Sequence, residues 1–92
     1  MIGISAQVSL YPLGQADIAP AIDAVVGVLA ERGIAHEVGA MSTTVWGEDE
    51  AVFAALREAF RAAAAFGQAV MTVTVSNACP LPSALGRPGG TP

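Results

Sequence analysis

Three short polar clusters hold most of the hydrogen-bonding side chains with no obvious structural duty. They are Ser5 and Gln7, then Ser42 and Thr43, then Asn77 followed by Cys79. Hydroxyls and side-chain amides both donate and accept, so together they suit recognition of a neutral polar ligand. Covalent chemistry has less support. The single histidine, His36, falls between Ile34 and Val38 in an alternating run, which makes it a packed histidine rather than a base. Cys79 precedes Pro80 and has no neighbouring cation to stabilise a thiolate. One His, one Cys and scattered carboxylates form no ligand spacing for a metal. Gly86, Gly89 and Gly90 lie among prolines with no helix to follow, so they make no phosphate loop. No cofactor is expected.

Composition narrows the class. The chain has 92 residues, 53% of them hydrophobic and 13% charged, which excludes disorder for the chain as a whole. Four arginines at 32, 57, 61 and 87 stand against 8 acidic residues for a net charge of −4, too few and too scattered to displace counterions from nucleic acid. No apolar run reaches the roughly 18–20 residues that span a bilayer. The start, from Met1 to Ser5, lacks the basic flank of a secretory signal. With a lone cysteine, these features predict a cytoplasmic protein. A globule of this size buries only about 60–65% of the surface its unfolded chain exposes. Its surplus apolar surface therefore predicts a homo-oligomer.

Periodicity supplies the elements. Residues 4–11 alternate and predict a strand. Pro12 and Gly14 break it, Asp17 is a candidate N-cap, and Ile18, Ile22, Val25 and Leu29 recur at helical spacing until Gly33. Residues 34–41 and 43–47 read as two strands of a hairpin joined tightly at Ser42. Glu48, Asp49 and Glu50 favour a helix N-terminus, and Phe53, Leu56, Phe60 and Ala63 form its expected apolar stripe, ending near Gly67. Residues 70–76 alternate again. The expected domain covers residues 1–80. Residues 81–92, rich in Pro and Gly, are expected to form a loose tail.

The order βαββαβ is the split βαβ arrangement of ferredoxin-like α+β domains. It predicts a four-stranded antiparallel sheet ordered 4-1-3-2 with both helices on one face. Parity leaves Ser5, Gln7, Ser9, Tyr11, Glu37, Gly39, Met41, Thr44, Trp46, Thr72, Thr74 and Ser76 on the other. Solvated sheet faces normally carry Lys, Arg and Glu, so this hydroxyl-rich face suits a partner or a ligand. Taking strands one and three as parallel brings Ser5, Gln7, Ser42, Thr43, Asn77 and Cys79 to one end of the sheet. On the same reading both helix C-termini point towards that end. Glu37 lies nearby with no cation, which favours a neutral or cationic ligand, and Trp46 or Met41 could pack on a ring.

Three strings carry a resemblance: Ile4 to Pro12 (ISAQVSLYP), Met41 to Glu48 (MSTTVWGE) and Val70 to Pro80 (VMTVTVSNACP). Together they resemble the YkoF-like family that binds thiamine and hydroxymethylpyrimidine. The resemblance covers about residues 4–80 and implies ferredoxin-like units, two in one chain or one per subunit of a dimer or tetramer. It implies ligand binding without catalysis, with Ser42 and Thr43 as the foremost polar contacts and Asn77 and Cys79 next. This chain holds a single unit, so a site that needs two would be completed by another subunit.

The expected ligand is thus thiamine or a related aminopyrimidine, contacted by Ser5, Gln7, Glu37, Met41, Ser42, Thr43, Trp46, Asn77 and Cys79. Two other classes fit the same fold, which does not by itself define function. One is a cofactor-poor enzyme of the dimeric α+β barrel type, which a pocket holding His36 would favour. The other is a pure oligomerisation module whose open face only pairs subunits.

Overall fold

A computed structural model describes residues 2–78, arranged as β1 (Gly3–Pro12), α1 (Ala19–Glu31), β2 (Ala35–Val38), β3 (Thr43–Glu48), α2 (Asp49–Ala64) and β4 (Ala69–Ser76). The sheet order is β2-β3-β1-β4, and every neighbouring pair is antiparallel. This is the ferredoxin-like α+β fold that the periodicities predict. The expected tail and Cys79 lie outside the described residues.

One inference about direction is corrected. Strand β3 runs antiparallel to β1, with Gly3 opposite Glu48 and Val8 opposite Thr43. The reason is topological. The α1 crossover returns β2 parallel to β1, and the following hairpin reverses the chain, so β3 must oppose both. The start of β1 therefore meets the end of β3, and its end meets the start of β3. The two helices are antiparallel for the same reason, so their C-termini lie at opposite ends of the sheet and do not reinforce each other.

Local chemistry sets each boundary. Asp17 Oδ1 accepts the Ala19 amide at 3.0 Å, and Pro20 sits in the first turn of α1, where a missing N–H costs no hydrogen bond. The other end closes as a Schellman motif: Gly33 at φ 68 donates to Ala30 O at 3.1 Å and Ile34 to Leu29 O at 2.9 Å. The positive φ is why glycine ends this helix. Between the hairpin strands, Gly39 donates to Ser42 O at 2.8 Å, closing a turn over residues 39–42. Strand β2 thus stops at Val38 instead of running to residue 41, and Gly39 and Met41 belong to the turn rather than to the open face. A Cβ on Gly39 would stand 3.0 Å from Ser42 O, so a larger residue there requires the turn to give by a few tenths of an ångström.

The core lies between the helices and one sheet face. Ile4, Ala6, Val8 and Val45 from the sheet meet Ala21, Val25, Val28 and Leu29 of α1 and Val52, Ala55, Leu56, Ala59 and Ala63 of α2. The buried alanines of α2 let it approach α1 closely, since small side chains bring helix axes together. The stripe expected for α2 is rotated: Phe53 and Phe60 are 51% and 39% exposed, while Val52 and Ala59 are fully buried. Packing against α1 selects small residues for that face and leaves the larger phenyl rings outside.

Candidate functional site

Register divides the sheet into rows. On the face away from the helices, one row runs Ala35, Trp46, Ser5 and Ser76, and the next runs Glu37, Thr44, Gln7 and Thr74. On the helix-facing side, His36 and Val45 share a row with Ala6, and Val38 and Thr43 share a row with Val8. Thr43 therefore faces the helix layer, on the side opposite Gln7.

There a cleft of about 300 Å³ opens beneath the first half of α1. Val8 and Leu10 of β1, Ile22, Val25 and Val26 of α1, and Val38 at the end of β2 supply most of its apolar lining, with the 39–42 turn along one edge. Tyr11, Ile18, Ser42 and Thr43 also line it. Tyr11, Ile18, Val38 and Met41 are each about half exposed or more, Met41 reaching 86%. The surface around the cleft is thus apolar as well.

The wall formed by the turn is tied down from the opposite face. Gln7 Nε2 donates to Ser42 Oγ at 3.1 Å, and Ser9 Oγ donates to Met41 O at 3.4 Å. With Ser42 Oγ accepting from Gln7, its own proton is left free to donate. His36 stands apart, its Nδ1 2.7 Å from Ile34 O, and does not line the cleft. This cleft is therefore not the pocket around His36 that would favour an enzyme.

The nine expected contact residues fall into separate groups. Met41, Ser42 and Thr43 gather at the cleft, and Gln7 reaches it through Ser42. Glu37 is exposed on the open face opposite Thr44. Ser5 and Trp46, 6% and 7% exposed, pair at the far end of the sheet, where Asn77 follows Ser76. Thr43 lies opposite Val8 and Ser76 opposite Ser5, which puts Asn77 about four residues, or roughly 13 Å, along the sheet from Thr43. The convergence of Ser42 and Thr43 with Asn77 is thereby overturned, for the antiparallel reason given above. Cys79 lies outside the described residues.

Sequence reasoning placed Ile22 and Val25 in the core and did not foresee Val26, Val38, Gly39 or Ala40 as lining residues. One signal was present: Ile18 and Ile22 begin the apolar stripe of α1, and both line the cleft.

The described residues thus form a ferredoxin-like domain with a small apolar cleft edged by Ser42 and Thr43, the kind of concavity in which small ligands are commonly held. This chain belongs to the thiamine-binding protein family, whose model matches residues 6–76. No curated protein sequence matches it significantly. Solved structures resemble it in fold. A hypothetical protein of Methanocaldococcus jannascii has 23% identity and a TM-score of 0.76, over 83% of this chain and 80% of that one. A domain of unknown function from Bacillus cereus has 18% identity and a TM-score of 0.75, over 92% and 86%. A putative thiamine biosynthesis/salvage protein of Thermotoga maritima has 22% identity and a TM-score of 0.72, over 80% and 82%.

Proposed function

We propose that this protein binds thiamine or its hydroxymethylpyrimidine precursor, without catalysis, in the cleft between α1 and the β1–β3 end of the sheet. The observation that carries the reading is the cleft itself, in a chain of the thiamine-binding family. Its volume of about 300 Å³ stands at the small end of ligand sites, which run roughly 300–1,000 Å³, and suits a single aromatic ring with substituents. Val8, Val25, Val26 and Val38 offer flat apolar contact to the ring faces. The Thr43 hydroxyl donates to a ring nitrogen or accepts from the exocyclic amine. Ser42, fixed by Gln7, adds a second hydroxyl at the edge.

The open sheet face then serves assembly. Its central row of Glu37, Thr44, Gln7 and Thr74 carries one charge, and that low charge supports pairing with a second copy into a cytoplasmic dimer or tetramer. Calorimetry with thiamine and with hydroxymethylpyrimidine tests the ligand reading. Saturable binding of either, weakened by Thr43→Val at unchanged melting temperature, supports it. Silence from both ligands overturns it and leaves the assembly module.

A further inference from the structure

Resting on the cleft as the thiamine site, we infer that it takes unphosphorylated aminopyrimidine alcohols and rejects their phosphate and diphosphate esters. Thiamine and its phosphates share their rings and differ by groups that carry one to three negative charges. Discrimination therefore turns on the charge around the cleft, and the structure gives that charge a sign. No residue lining the cleft is basic or acidic, and the chain contains no lysine. Among the described arginines, Arg32 is paired with Glu58 at the C-terminal end of α1. Arg57 and Arg61 are exposed on α2, a helix that lines no part of the cleft.

The one feature that could still attract a phosphate is the N-terminus of α1, which starts beside the lining residue Ile18. Free amides and the helix dipole commonly hold anions at such a place. Here it is already filled. Asp17 Oδ1 accepts the Ala19 amide, and Pro20 has no amide to offer. A carboxylate thus occupies the position a phosphate would take. Asp17 and Asp23 each adjoin a lining residue in sequence, Ile18 and Ile22 respectively, whereas Glu37 belongs to the opposite face of the sheet. Both aspartates are exposed. Two carboxylates beside lining residues, with no described arginine among those residues, favour the cationic thiazolium of thiamine and oppose its esters.

The test is calorimetry on the full chain with thiamine, thiamine monophosphate, thiamine diphosphate and hydroxymethylpyrimidine, at low and at moderate salt. Both phosphate esters should bind about tenfold or more weakly than thiamine, as like-charge juxtaposition requires. The gap should narrow as salt screens the repulsion. Asp17→Asn keeps an acceptor for the Ala19 amide and removes the charge, so it should narrow the gap at low salt. Esters that bind as tightly as thiamine overturn the inference while leaving the cleft as the thiamine site. A gap unchanged in Asp17→Asn overturns the role given to Asp17. If neither thiamine nor hydroxymethylpyrimidine binds, the reading of the cleft fails, and this inference with it.

Discussion

Gln7 on β1 donates through Nε2 to Ser42 Oγ at 3.1 Å, joining residues 35 positions apart in sequence. Gln7 belongs to the face opposite the cleft, yet this bond fixes the turn that forms one of the cleft's walls. The cleft wall on the helix side is thus held by side chains from the other face of the sheet.

Thr43→Val should reduce affinity for thiamine roughly two- to tenfold, because it removes one neutral hydrogen bond worth about 0.5–1.5 kcal/mol. Valine keeps the β-branched shape, so β3 should persist. Calorimetry beside a thermal melt separates the two effects. Unchanged affinity at unchanged stability would remove Thr43 from the site.

Filling the cleft tests its location without relying on hydrogen bonds. Val26→Phe places a ring where the ligand ring would lie. Overpacking a closed core typically costs about 1–3 kcal/mol, but here the ring enters open space, and the melting temperature should hold. Thiamine binding should disappear. A variant that folds and still binds would move the ligand elsewhere.

Trp46 is the protein's one tryptophan, buried at 7% exposure on the sheet face away from the cleft. Its emission should be blue-shifted and poorly quenched by acrylamide. Saturation with thiamine should leave it nearly unchanged. A strong change in emission on binding would place the ligand at the Ser5 and Trp46 end instead.

Leu29 and Phe53 should respond in opposite ways to truncation. Leu29 is 1% exposed and Phe53 51%. Leu29→Ala should destabilise by roughly 2–5 kcal/mol through the cavity it leaves. Phe53→Ala, half solvated already, should cost well under the roughly 3–5 kcal/mol of a buried phenylalanine. Chemical denaturation of the two variants reads the difference.

Assembly through the open face predicts a light-scattering mass that is a multiple of 9.2 kDa. Thr74→Lys puts a charge on that face from the edge strand β4, beside Gln7, and should shift the mass towards one subunit. A parent protein that is monomeric at micromolar concentration would end this proposal.

Much of this was legible along the chain, because period two and period 3.6 are local properties. The alternation of Ile4, Ala6 and Val8, the stop at Gly33 and the acids before α2 determined the element order. That order, with the right-handed crossover, left few sheets to build. The three motif strings were enough to identify the family. Tertiary structure alone decided the rest. The direction of β3 depends on a crossover and a reversal taken together, and one wrong sense brought Asn77 to the wrong end of the sheet. The rotation of α2 that exposes Phe53 and Phe60 depends on how closely α1 must approach, which a count of apolar residues does not contain. The cleft exists because Ile18 and Ile22 of the α1 end, Leu10 and Tyr11 of β1 and the 39–42 turn that Gly39 and Gln7 hold in place meet around one space. A cavity is the space between elements distant in sequence, and no local pattern encodes it.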